Sequence, residues 1–181
     1  MLDSHKETVT FQQAIALTQS LLSPIEVAEL SPAEIEAEIA ELVKSENGAR
    51  GFFVTYLRSE GTLADNPSPE VVRALKSSPD IVAELLVKNL AMSAAMAVTH
   101  RRNGNEEMAQ GSDRVRERTE RLIQLVELPA VRELSQKLVE SATTGEGRYK
   151  DFLQRWGYDA EQRQVICQAF EQVKLQNPQT Y

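Results

Sequence analysis

The chain holds two histidines and one cysteine, so imidazole and thiol chemistry has only His5, His100 and Cys167 to work with. Nucleophilic catalysis needs a thiol or hydroxyl within hydrogen-bond reach of a base, and His100 with Cys167 is the one imidazole–thiol pair on offer. Cys167 stands between Ile166 and Phe170, at helical spacing, where a small buried hydrophobe is its ordinary role. A metal held on a helix needs ligands three or four residues apart so that both reach one ion. Around His100 those positions are Met96, Ala97, Asn103 and Gly104, and the Glu-x-x-His pattern of di-iron bundles would need glutamate at 97. His5 falls in the first turn of the first expected helix, a poor place for a ligand. No metal site is expected.

What His100 does have is a face. Leu85, Asn89, Met92, Met96 and His100 recur at helical spacing and share one side of a helix. Two readings compete for it. With Met92 and Met96 the imidazole could seat a haem or another tetrapyrrole through an axial bond. Otherwise the stripe is core, and His100 is a cation that suits a helix C-terminus. A single cysteine rules out Cys-x-x-Cys-His attachment, and Gly-x-Ser-x-Gly, the P-loop and Gly-x-Gly-x-x-Gly are all absent from the sequence. The chain therefore reads as a non-enzyme with no resident cofactor, the Met92/Met96/His100 face being the alternative.

Charge supplies the other candidates. The net charge is −7, and an acidic chain repels polyanions unless basic residues are concentrated somewhere. Between His100 and Arg121 there are six arginines against five acids, a net of only +1. Arg114, Arg118 and Arg121 share one flank of their helix, and Arg101 and Arg102 end the preceding one. Glu117 is placed to pair with both Arg114 and Arg121. RNA or DNA binding through Arg101, Arg102, Arg114, Arg118 and Arg121 is a further alternative, not the leading one. The stronger asymmetry runs from Glu26 to Glu46, where seven glutamates accompany one lysine. Glu34, Glu36, Glu38 and Glu41 on that helix suit a partner protein with a basic surface.

The elements that must position these groups are legible as helix starts and stops. Ser4 to Glu7 forms a capping box ahead of a stripe of Phe11, Ile15, Thr18 and Leu22, widened by Ala14, Leu17 and Leu21. Ser31-Pro32-Ala33-Glu34 repeats the signal with proline at the first helical position. Ile35, Ile39, Leu42 and Val43 follow, and Asn47-Gly48 reads as the stop. Ser68-Pro69 and Ser78-Pro79 mark two more starts, and Ser23-Pro24 a weaker one. GFFVTYL (51–57) has strand-like composition but no partner run, and its aromatics are also good helical neighbours, so it reads as helix. GTLADNP (61–67) is a loop.

Two long helices follow, 79–102 and 106–127, joined by Asn103-Gly104-Asn105. They read as a central antiparallel hairpin, with Gly111 in the apolar stripe of the second for close contact with the alanine-rich first. Pro129 opens a helix facing inward through Val131, Leu134, Leu138 and Ala142, and TTGEG (143–147) is a second loop. Gly157 stops a short helix. Asp159 to Gln162 caps the last one, whose core face is Ile166, Phe170 and Val173, with Lys174 to Tyr181 expected to fray. Trp156 and Tyr158 would mark a docking or dimerisation patch if both were exposed.

The fold class is all-α, seven to eight helices bundled around that hairpin, in one domain of residues 1–181 with 145–175 as a C-terminal helical-hairpin appendage. Hydrophobic residues make up 41% and charged residues 26%, ordinary for a soluble domain. No apolar run is expected to span a bilayer, and the start lacks a signal-peptide pattern. The expected setting is the reducing cytoplasm, with a homo-dimer left open. GFFVTYLRSEGTLADNPSPEVVRAL (51–75) and NLAMSAAMAVTHRR (89–102) resemble the small, all-helical, uncharacterised soluble proteins of cyanobacteria and plastids. That resemblance covers about half the chain, contains no motif of known role and transfers no site residue.

Overall fold

In the computed structural model, which describes residues 8–176, cap chemistry sets most helix boundaries. The described residues form nine helices and no strand, against the seven to eight expected. By packing, the chain divides into two compact units, Met1–Val82 and Ala83–Tyr181. Residues 145–175, expected as an appendage, lie within the second.

The first unit contains α1 (Phe11–Glu26), α2 (Pro32–Val43), α3 (Glu46–Arg58) and α4 (Pro69–Lys76). The capping box at Ser4 lies outside the described residues. The working cap is Thr10, whose hydroxyl accepts from the Gln13 N–H while the Gln13 side chain accepts from the Thr10 N–H. Ala14, Thr18 and Leu21 are buried, whereas Leu17, placed in that stripe by spacing, is 51% exposed. Ser23-Pro24 starts nothing: Pro24 lies in the last turn of α1, where its missing N–H helps to end the helix.

Ser31 and Glu34 form the expected reciprocal cap, with N···O distances of 3.2 and 2.7 Å. Asn47-Gly48 is not a stop. α2 ends at Val43, and Ser45 caps α3 by accepting from the Gly48 N–H. Gly48 is needed for space: a Cβ there would collide with the Leu42 carbonyl oxygen. Gly51 is needed for the same reason, since its Cβ would collide with that of Ala14 and come within 3.0 Å of the Ala14 carbonyl carbon. α1 and α3 thus touch backbone to backbone. GFFVTYL is helical, and Phe52, Phe53, Tyr56 and Leu57 fill the core, with the Phe52 and Tyr56 rings stacked at 5.1 Å.

The second unit contains the body of α5 (Pro79–Arg102), then α6 (Glu106–Val126), α7 (Pro129–Thr144), α8 (Lys150–Trp156) and α9 (Ala160–Gln176). Lys174 to Gln176 therefore continue the last helix. α5 is the one described helix long and apolar enough to cross a membrane by length and composition, and 56% of its most apolar window is buried inside the protein. Its buried side is Leu86, Val87, Leu90, Ala91, Ala94, Ala95 and Ala97. Ala91 and Ala95 are fully buried.

After Arg102 the chain turns at Gly104, whose φ of +69° is left-handed, a conformation glycine adopts without steric cost. Asn105 then caps α6 by accepting from the Met108 N–H. The α6 stripe holds its phase but not its burial. Thr119, Leu122 and Val126 are buried, Val115 is half-buried, and Met108 and Gly111 are exposed. A Cβ on Gly111 would meet nothing within 4 Å, so the close contact expected there does not exist.

α9 is fastened to α5 by Gln162. Its side-chain amide donates to the Ala95 carbonyl at 3.1 Å and the Thr99 hydroxyl at 2.9 Å. The same residue exchanges capping bonds with Asp159 as the sequence implies. Val131, Leu134, Leu138 and Ala142 face inward on α7 as expected.

Candidate functional site

The acidic face is the outward side of α2. Its apolar stripe turns Ile35, Ile39, Leu42 and Val43 into the first unit, which leaves Glu34, Ala37, Glu38 and Glu41 exposed and Glu36 half-buried. The four glutamates are not equivalent. The Glu34 carboxylate accepts from the Ser31 N–H, and that bond holds it below the usual carboxylate range. Glu36 pairs with Arg73 of α4 at 2.9 Å, and Glu41 with Lys44 at 2.6 Å. Among the described residues Glu38 forms no ion pair.

The arginines do not form one basic surface. Arg101 meets acids of the next helix, Glu106 at 3.2 Å and Asp113 at 2.7 Å. Arg102 instead reaches Asp159 and Glu161 at the start of α9, each at 2.5 Å, and its hydrogen bonds hold the Asp159 carboxyl below its ordinary range. Arg118 is 3% exposed, so it belongs to the interior. Arg114 and Arg121 are exposed, and neither pairs with Glu117 as the spacing suggested. The i,i+4 pair on this helix is Arg116 with Glu120, at 3.6 Å.

Met92, Met96 and His100 lie on one side of α5 with Leu85 and Asn89, and all five are half-buried. The face is thus neither the deep core nor an open surface. Cys167 is also half-buried, with Thr143 Oγ1 3.8 Å from its sulfur, where a fully buried position was expected. It borders an open groove of about 520 Å³ with Arg163 and the end of α7. Among the described residues no three His, Cys, Asp or Glu side chains gather where they could hold one metal ion. Trp156 is 51% exposed while Tyr158 is buried, so the condition for an aromatic patch there is not met.

Two arrangements escaped the reading of the sequence. In the second unit Glu84 is a hub, accepting from Tyr149 Oη at 3.0 Å and approached by Lys88 at 3.3 Å and Arg148 at 3.4 Å. Burial and the Glu84 charge push the Tyr149 phenol well up. The Glu84–Lys88 spacing was visible, but the tyrosine 65 positions away was not. In the first unit an open groove of about 730 Å³ runs between α1 and α3. Its apolar lining comes from Ile15, Leu22 and Val54, and Glu26, Arg58 and Glu60 lie at one end. The half-apolar stripe of α1 was the available signal, and Val54 is its counterpart on α3.

Helical elements alone, among the described residues, define the class: an all-helical protein. Within that class the chain belongs to the family described as Uncharacterised conserved protein UCP020893, whose model matches residues 10–173. No curated protein and no solved structure matches it.

Proposed function

We propose that the protein is a non-catalytic interaction or assembly module, working in the cytoplasm, whose contact surface for a basic protein partner is the outward face of α2. The observation that carries this reading is the separation of that helix into a fully apolar inner side and an outer side of glutamates. The stretch Glu26 to Glu46 carries nearly all of the chain's net charge. Like charges held side by side on a rigid helix repel one another, and a basic surface laid against them relieves that repulsion. Pairing of Glu36 and Glu41 moderates the field and leaves Glu38 as its centre. The α5–α6 hairpin as the bundle's central element, and kinship with the helical proteins of cyanobacteria and plastids, form part of the same reading.

The test is co-purification from native cells with a variant in which Glu34, Glu36, Glu38 and Glu41 are all changed to glutamine. Glutamine at position 34 keeps the capping box, so the helix stays intact while the charge goes. Loss of the partners that the unaltered protein retains is the expected result. Retention of every one of them would remove the acidic face from the reading.

A further inference from the structure

The groove between α1 and α3 has a chemical polarity of its own. The two helices run in the same direction, since Gly51 in the middle of α3 packs on Ala14 in the first turn of α1, and Gly61, just past the end of α3, lies against the Glu26 carboxylate at the end of α1. Both C-termini therefore fall at one end of the groove. A helix C-terminus carries roughly half a negative charge from its unpaired carbonyls, and here two of them add to the carboxylates of Glu26 and Glu60. Arg58 offsets one of these charges. Toward the other end the apolar lining is Ile15, Leu22 and Val54, with Gln19, Ser23 and Thr55 interleaved. From Ile15 to Glu26 is eleven residues, about 16 Å of helix, or three turns.

From this geometry we infer that the α1/α3 groove binds an amphipathic helix of a partner protein, with its apolar side on Ile15, Leu22 and Val54 and a lysine or arginine at the Glu26/Glu60 end. An occupant of three turns presents apolar anchors at i, i+4 and i+7, a spacing that matches the seven residues from Ile15 to Leu22 and leaves its last turn for the charged end. Charge complementarity selects a basic helix over an acidic one. The inference rests on the reading of the protein as an interaction module, and it deepens that reading by giving the partner an apolar anchor as well as a charge. Glu26 belongs both to the groove and to the acidic stretch, so one partner segment can use both.

The probe is a fluorescein-labelled synthetic peptide of leucine and lysine, arranged as an amphipathic helix of four turns and titrated with the full chain. Controls are the same residues in scrambled order, and a leucine–glutamate peptide. The amphipathic basic peptide should bind at least tenfold more tightly than either control. Val54→Asp should weaken it roughly tenfold even though it adds a favourable charge, because an apolar contact is lost. Glu26→Gln with Glu60→Gln should also weaken it and flatten its salt dependence. Peptide-induced shifts of the Ile15, Leu22 and Val54 methyl resonances in the unaltered protein provide a readout that needs no variant to fold. Equal binding of the scrambled peptide, methyl shifts elsewhere, or indifference to a folded Val54→Asp variant would each overturn the inference. The α2 glutamine variant separates the two proposals: its co-purification result bears on the acidic face, whereas the peptide titration bears on the groove.

Discussion

Tyr158 buries a phenol that no described residue bonds. The residue is 5% exposed, and its hydroxyl oxygen has no hydrogen-bond partner among the described residues. Burial pushes its pKa up to about 12 from the ordinary 10. A buried donor left unpaired costs about 1–3 kcal/mol, whereas removing it while keeping the shape recovers part of that cost. Tyr158→Phe deletes one oxygen and leaves the ring, so the variant should be more stable by about 1 kcal/mol at neutral pH. In thermal unfolding this raises the midpoint by roughly 2–4 °C if the chain melts as one, and by about 4–8 °C if the second unit melts alone.

The pH dependence gives a second, independent signature. A raised folded-state pKa means that the phenol's contribution is complete below pH 10 and is lost as the pH rises through about 12. Over that window the unaltered protein should lose about 3 kcal/mol more than the variant, from a shift of two units at about 1.4 kcal/mol each. Tyr149 also titrates upward, but it is present in both proteins and cancels in the comparison. Denaturant melts at pH 7 and across pH 9 to 12 measure both effects. A Tyr158→Phe variant less stable than the parent at pH 7 by more than about 0.5 kcal/mol would refute the reasoning, because it would mean that the hydroxyl makes a bond worth keeping.

Glu120 should behave in a related way: its side chain is buried, one carboxylate oxygen has no hydrogen bond among the described residues and only the Arg116 guanidinium at 3.6 Å, and burial raises its pKa against the opposing pull of Arg116. Its contribution is therefore whole below the ordinary glutamate range and lost as pH rises through the shifted value. Glu120→Gln should stabilise the protein at pH 7 and change little at pH 3, as read by urea midpoints at the two pH values. Gly51→Ala should destabilise by about 1–3 kcal/mol through overpacking against Ala14. Gly111→Ala should instead add about 1 kcal/mol, because its Cβ meets open space in a helix interior; calorimetry of the pair distinguishes the signs. Gln162→Ala should cost about 1–3 kcal/mol, since it removes a cap together with two bonds to α5, and amide exchange near Ala95 and Thr99 should accelerate.

Helix starts were legible because capping is local: Ser31 with Glu34, and Asp159 with Gln162, complete their chemistry within four residues. Asn47-Gly48 was misread for the same reason in reverse. Gly48 satisfies a stop signal by type, but Ser45 just before it caps a new helix, and the demand for glycine comes from the Leu42 carbonyl rather than from a turn. Periodicity gave the direction of the Met108–Val126 stripe correctly. It carries no information on how far along the helix a partner element extends, so Gly111 was placed in a contact it does not make.

The candidate surfaces show the same division. The acids of α2 could be counted in sequence, and the helix phase put Glu34, Glu38 and Glu41 outside. Which of them are neutralised depends on Arg73, well beyond the helix. Arg102 finds its carboxylates 57 and 59 residues on, and Arg118 is withdrawn altogether, neither of which any local spacing encodes. The α1/α3 groove needed the parallel course of two helices separated by a third, a property of topology.

The boundary between the two compact units falls between Val82 and Ala83, inside the first turn of α5. Many proteins join such units by a polar linker that a protease can nick or recombination can exchange. Here the joint is hydrogen-bonded helix. Severing it would expose up to four N–H groups on one side and four carbonyls on the other, besides baring the buried Val82 and Ala83. Neither half can be cut out as a ready-made piece without first rebuilding a helix end.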